Sequence, residues 1–196
     1  MSEHKRIGDI KGLTFIGGQI TSRIQADEKK NDVTIGNIQV IPPKAIKGGA
    51  LVKEELYDIS YKTEFDEKKL TKAGDVVVKL STPYDAAYVT KDDEGFLITS
   101  FCIIVRNTGK EVDSEYLAAF FNSDVYLNQA MNMVSGATMP MLTLGKIKDI
   151  EINVLPKDDQ EQVATYYKTI TEKEKVFNRV VTLEKEKLNS VLGGEQ

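Results

Sequence analysis

With 196 residues, 41% of them hydrophobic and 29% charged, the chain is long enough for one sizeable core or a core with an appendage, and it reads as soluble and globular. One histidine (His4) and one cysteine (Cys102) exclude zinc clusters, Ser-His-Asp triads and Cys-His pairs, since each needs residues the chain lacks. The balance of 26 Lys and Arg against 30 Asp and Glu, a net charge of −4, has the wrong sign for a protein that coats nucleic acid nonspecifically.

The chain starts polar ("MSEHKRIGDIKG"), unlike a signal peptide, and no run approaches the roughly 18 apolar residues of a membrane span, so a cytoplasmic location is expected. "GLTFIGGQITSR" (12–23) supplies short β-prone pieces broken by Gly17-Gly18, and "QADEKKND" (25–32) reads as a charged surface loop. "VTIGNIQVI" (33–41) alternates as a strand that Pro42-Pro43 ends. "KAGDVVVKL" (72–80) sets a Gly-Asp turn before a β-branched run, which makes Asp75 a strand entrance. A proline turn in "STPYDAAYV" (81–89) leads to a further short strand, and "GFLITSFCIIVR" (95–106) predicts one long buried strand carrying an unreactive Cys102. Lys44, Lys47, Lys53, Lys62, Lys68, Lys69, Lys72 and Lys79 outnumber their acidic neighbours, but such a run reads first as a solvated mixed surface.

Beyond Asn107 the spacing turns helical. Asp113 or Ser114 can cap "SEYLAAFFNS", and Ser123 can cap "DVYLNQAMNMV", which Gly136 closes. "GATMPMLTLGKIKDI" (136–150) reads as irregular and leads into the strand "EINVL". After Leu155-Pro156, Asp158 with Glu161 forms a capping-box pattern that opens a helix of about 50 Å running to Gly193. Along it Val163, Tyr167, Ile170, Glu174, Phe177, Val181, Glu184, Leu188 and Val191 recur in steps of four and three, the coiled-coil period. The expected fold is therefore α+β: a mostly β head with two short helices (1–156), then a long C-terminal coiled-coil helix (157–196) whose seam is too extensive for its own head to cover.

"GATMPMLTLGKIKDIEINVLPKDDQEQVATYY" resembles the end of a target recognition domain running into the spacer helix of type I restriction-modification DNA-specificity subunits. The resemblance rests on an ordered series: Gly136, a short helix between Leu142 and Ile147, Val154-Leu155-Pro156, and Glu161-Gln162. "KAGDVVV", "ITSFCIIVR" and "YLAAFFNS" resemble the family's strand entry, core strand and following helix. The resemblance implies a non-catalytic subunit that reads double-stranded DNA and docks methyltransferase subunits, with restriction nuclease subunits as a further option. It also implies that S-adenosylmethionine and ATP are bound by those partners, leaving this chain with no cofactor. Family members usually carry two recognition domains and two spacer helices. One of each implies a homodimer paired antiparallel through Val163, Tyr167, Ile170, Phe177, Val181, Leu188 and Val191, unless the chain is a piece of a longer subunit.

Base edges need hydrogen-bonding or forked side chains, and phosphates need cations or hydroxyls. Candidates are Thr21, Ser22 and Arg23, then Lys79, Ser81, Thr82 and Tyr84 at the proline turn, then Ser135, Thr138 and Met139 in the irregular loop. Arg106, at the end of a core strand, suits an internal ion pair as well as a phosphate. Two rivals stand beside DNA recognition: a non-DNA-binding dimeric adaptor with a β-rich head and coiled-coil stalk, and a carboxylate hydrolase using Asp75 or Asp85.

Overall fold

The computed structural model describes residues 3–138 and 140–193. Its centre is a four-stranded antiparallel sheet built from β2 (Leu13–Gly17), β10 (Cys102–Asn107), β7 (Val76–Lys79) and β8 (Ala86–Tyr88), adjacent in that order. Side chains alternate across a strand, so β7 sends Val76 and Val78 to one face and Val77 to the other, and β10 likewise divides Ile103 and Val105 from Cys102 and Ile104. Both faces are buried, which is why these two runs are almost continuously apolar. Burial pushes the Cys102 thiol up to about 12, in keeping with an unreactive core residue.

One face of the sheet packs on α1 (Ser114–Phe121), α2 (Asp124–Val134) and α3 (Leu144–Asp149), through Leu117, Phe121, Tyr126 and Ile147. Each helix starts where a short polar side chain satisfies amides that the helix cannot. Asp113 accepts from Glu115 and Tyr116, Ser123 from Tyr126, and Thr143 from Lys146. Gly136 adopts φ +77 just past α2, a left-handed position that favours glycine. The stretch read from its residues as irregular thus contains a helix, where the family resemblance had put one. A hydroxyl cap and Ile147 buried at 0% exposure outweigh the poor helical propensity of Gly145.

The other face covers a second cluster around Ile41, Ile46, Val89 and Ile98, held by the hairpin of β4 (Ile46–Lys47) and β5 (Ala50–Leu51). A smaller sheet joins β6 (Tyr57–Tyr61), β3 (Gly36–Ile41) and β9 (Leu97–Ile98), the last pair parallel. Here the expected single strand over 95–106 divides in two. Cys102 N–H donates to Thr99 O at 2.9 Å, a turn that sends β9 to the small sheet and β10 to the large one. Apolar content alone cannot reveal that break, because both halves are buried. β1 (Glu3–Arg6) pairs antiparallel with β11 (Glu151–Val154) and ties the start of the chain to the strand before the last helix.

That helix, α4 (Lys157–Gly193), is 37 residues long and spans about 55 Å. It begins at Lys157, one residue before the expected Asp158 cap. Gln160 N–H already donates to Pro156 O, leaving Asp158 and Asp159 to supply negative charge inside the first turn. Gln160 is the anchor. Its Oε1 accepts from Asp113 N at 2.7 Å, while Nε2 donates to Glu111 O at 3.1 Å and Leu155 O at 2.8 Å. Ala164 is buried against α1, and Tyr167 lies over the Gly48-Gly49 turn, where Gly49 (φ +77) leaves no room for a Cβ beneath the ring hydroxyl. Beyond Thr171 every side chain to Gly193 is exposed.

Gln160→Ala would leave a buried amide and two carbonyls without a partner, at a cost of about 2 kcal/mol. The expected outcome is a lower urea midpoint with an unchanged denaturant slope; an unaltered midpoint would contradict the anchoring role.

Candidate nucleic-acid interface

The antiparallel register places the end of β2, the start of β10, the end of β7 and the start of β8 on one edge of the large sheet. The segments that connect there are stitched side by side. Gln19 N–H donates to Ile98 O (2.8 Å), Ser100 N–H to Gln19 O (2.9 Å), Leu80 N–H to Phe101 O (2.9 Å) and Leu142 N–H to Leu80 O (2.7 Å). A bridge between Ser81 and Met141 completes the rim. Segments far apart in sequence, at 18–19, 80–81 and 141–142, thus meet at one end of the large sheet, with the 98–102 segment joining the first two.

Ser22, Arg23 and Thr82, next to these joins in sequence, are exposed, as are Ser135 and Thr138 on the segment that follows α2, and Thr21 and Ser81 are half-buried. Met139 lies outside the described residues. Two candidates point inward instead. The Lys79 side chain is only 6% exposed and its Nζ pairs with Asp85 at 3.0 Å across the turn. Tyr84 is 2% exposed, donates its hydroxyl to Pro140 O at 2.9 Å and takes φ 61, a left-handed conformation held by the buried ring. The physical reason is shared: a four-residue turn closing on a sheet edge needs its own polar cross-links, and these two side chains supply them. They shape the rim without presenting themselves to a ligand.

Phe101 escaped the sequence reading because it sits within an apolar run. It is 49% exposed on the rim, fixed by the backbone bonds that flank it. Beside Ser22 a hollow of about 460 Å³ is lined by Gln25, Asp27, Lys29, Lys30 and Lys62. Lys62 pairs with Asp32 at 2.7 Å, and that hydrogen bond holds the Asp32 carboxyl below the ordinary aspartate range.

Most of the lysines singled out in the sequence are neutralised in the same way. Lys44 and Lys47 share Glu55 and Lys53 meets Asp93 at 3.6 Å, whereas Lys69 donates to the uncharged amide of Gln19 and keeps its charge. The mixed-surface reading describes them. Arg106 makes an internal pair: Nε and Nη2 donate to the two oxygens of Asp75 at 2.9 and 2.7 Å, and Nη2 also donates to Leu70 O. That pairing raises the arginine's already high pKa. With Asp75 1% exposed and Asp85 committed to Lys79, the two carboxylates of the hydrolase reading are both occupied structurally.

On α4 the expected seam divides. Val163 and Tyr167 are half-buried against the head, whereas Ile170, Phe177, Val181, Leu188 and Val191 are exposed, Phe177 at 74%. Tyr166, Val176, Val180, Leu183 and Leu192, absent from the expected seam, are exposed as well. Among the described residues no helix is long and apolar enough to cross a membrane, and no group of His, Cys, Asp and Glu side chains could hold a metal ion.

The profile described as "Type I restriction modification DNA specificity domain" matches residues 3–191. The chain belongs to that family. Family membership assigns it to specificity rather than to catalysis. Its fold is similar to the HsdS subunit from Thermoanaerobacter tengcongensis, with a TM-score of 0.65 at 19% identity over 97% of this chain and 47% of that one. It is similar also to a chain from a structure concerned with assembly and conformational transition of the type I R-M system (TM-score 0.62, 19% identity, 93% of this chain and 48% of that one). The type I S subunit from M. genitalium matches with a TM-score of 0.52 at 12% identity, over 95% of this chain and 44% of that one. The chain spans about half the length of these structures. No curated protein matches its sequence.

Removing Arg106 would strand the Asp75 carboxylate in the core, where an unpaired charge costs about 3 kcal/mol. Arg106→Met should therefore lower stability in urea by roughly that amount, and a change below about 1 kcal/mol would show that the pair is not structural.

Proposed function

We propose that this specificity domain reads one half of a two-part DNA target with the rim at the sheet edge, and that α4 spaces it from a second reader while docking methyltransferase subunits. The carrying observation is that backbone bonds join, at one end of the large sheet, the segments that carry Ser22 and Arg23, Ser81 and Thr82, and the exposed Phe101; Thr138 is exposed on the segment leading to Met141. Arg23 suits a guanine edge, the hydroxyls suit either bases or phosphates, and an exposed phenyl ring suits the methyl of thymine. Thr21 and Ser135 lie on the same segments, and Lys79 and Tyr84 keep the turn in shape. Residues 1–156 act as the recognition unit and 157–196 as the spacer.

The charge supports a division of labour. A net charge of −4, with most of the central lysines already paired, leaves little for phosphate neutralisation. Lys29 and Lys30 beside Ser22 contribute locally, and the partner methyltransferase supplies the rest. S-adenosylmethionine, ATP and any nuclease belong to partner subunits in the cytoplasm. Two identical readers related by a two-fold axis require a palindromic, interrupted target.

Electrophoretic shift with random-sequence duplexes tests this reading. The expected result is weak binding by the chain alone and binding that selects a sequence once the cognate methyltransferase subunit is added. Arg23→Ala and Thr82→Ala should then each lower affinity for the selected sequence about tenfold. A chain that joins neither the methyltransferase nor any duplex would instead be the stalked adaptor.

A further inference from the structure

Resting on the reading of α4 as a pairing element, we infer the register in which a second copy of this chain covers it: antiparallel, with the two-fold axis between Asn178 and Arg179, fixed by Lys173 of each copy against Glu184 of the other. The inference starts from direction. At ~100° per residue, the residues docked on the head (Gln160, Ala164, Tyr167 and Thr171) share one side of α4. The ten exposed large apolar residues of α4, from Tyr166 to Leu192, centre about 130° around the helix from that side. One face therefore holds the head while the other remains open along its whole length, so a second helix can lie along it without displacing the first contact.

The open stripe has its own heptad spacing: Tyr166, Ile170, Lys173, Phe177, Val180, Glu184, Lys187 and Val191, again in steps of four and three. These eight positions are symmetric about the point between Asn178 and Arg179. Folding the stripe onto a second copy about that point sets Phe177 against Val180 on both sides of the axis. Next outward it sets Lys173 against Glu184. Ile170 then meets the aliphatic stem of Lys187, and Tyr166 meets Val191 at the ends. Three of the four layers are apolar or of opposite charge, and in the remaining one Ile170 packs on the uncharged stem of Lys187, whose ammonium reaches past it to solvent.

Neighbouring registers lose this match. Sliding by one heptad places Lys173 against Val191 in one direction and against Phe177 in the other. Pairing instead through the seam expected from sequence uses six of its seven apolar residues in either of two registers: one brings Glu174 against Glu184, a like-charge contact, and the other sets Glu174 against Phe177 and Tyr167 against Glu184. A charged residue within a helical seam costs stability and specifies register, and Lys173 with Glu184 plays that part here. Within one chain the two are 11 positions apart, about 16 Å along the axis, too far to pair with each other. The register also sets the spacing: Ala164, at the docked contact, lies about 22 Å from the axis, so the two heads are held on the order of 44 Å apart, roughly 13 base pairs of duplex.

Charge exchange on the full chain tests this, read as the dimer dissociation constant by sedimentation equilibrium at low salt. Lys173→Glu and Glu184→Lys should each weaken the dimer by about fivefold or more, and the double exchange should return it to within about twofold of the natural chain. Glu186→Lys, on the side of α4 away from the stripe, should leave it unchanged. All three positions altered are exposed, and unchanged circular dichroism shows that folding is intact. A natural chain that stays monomeric overturns pairing itself. A dimer in which the double exchange is no better than the singles overturns the register and leaves the pairing reading standing.

Discussion

Gln160 and Ala164 hold the opening turns of α4 against α1, and that contact decides where the rest of the helix goes. A rigid helix cannot bend back within a few residues, since Thr171 onward holds neither proline nor a glycine before Gly193. The distal half is therefore projected away from the β-rich head along the direction that the first half takes. Its apolar side chains are uncovered for a geometric reason, not for lack of head surface. An isolated helical segment of this length, without tertiary packing, is only marginally stable in water, so the exposed stripe is a demand for a covering surface.

The head answers a different requirement. A reader of base edges has to hold its contact groups still, because loops that order only on binding give up affinity to entropy. In this chain the rim is built from turns cross-linked to one another by backbone hydrogen bonds and braced by Lys79 with Asp85, while Arg106 with Asp75 fixes the opposite end of the sheet. Charge is used inside to fix shape, and outside the lysines are matched by acidic neighbours where a nonspecific binder would concentrate unmatched positive charge. The same economy explains how an acidic chain can serve recognition: selecting bases and neutralising phosphates are separable tasks that different subunits can perform.

Much of this was legible in the sequence, and the parts that were not share a cause. The strand that Pro42-Pro43 ends, the strand entry at Asp75, the caps at Asp113 and Ser123 and the long final helix all follow from local patterns, although the first of these strands starts at Gly36 where the alternation suggests Val33, and the order of weak motifs led to the family. The division of 95–106 into two strands was hidden because a turn at Thr99 to Phe101 carries no glycine or proline. Phe101 on the rim was hidden by the same apolar run. Lys79 and Tyr84 have the chemistry of contact residues, and only the tertiary fold shows that it is spent on the turn. On α4 the 3.5-residue period was visible, yet it could not show that Val163 and Tyr167 serve the head while the exposed stripe is rotated away. Gln160 illustrates the limit best: in the sequence it is one more polar residue in a helical first turn, and its three partners come from Glu111, Asp113 and Leu155.

The central claim is that the proximal part of α4 belongs to its own head and the distal part to a second chain. Amide hydrogen exchange along the helix, followed as the protein is diluted, tests it most directly, because protection reports local opening. The account predicts that residues 157–171 stay protected at every concentration while 172–193 are protected when concentrated and lose protection on dilution. Distal amides that exchange freely even in the most concentrated sample would contradict it.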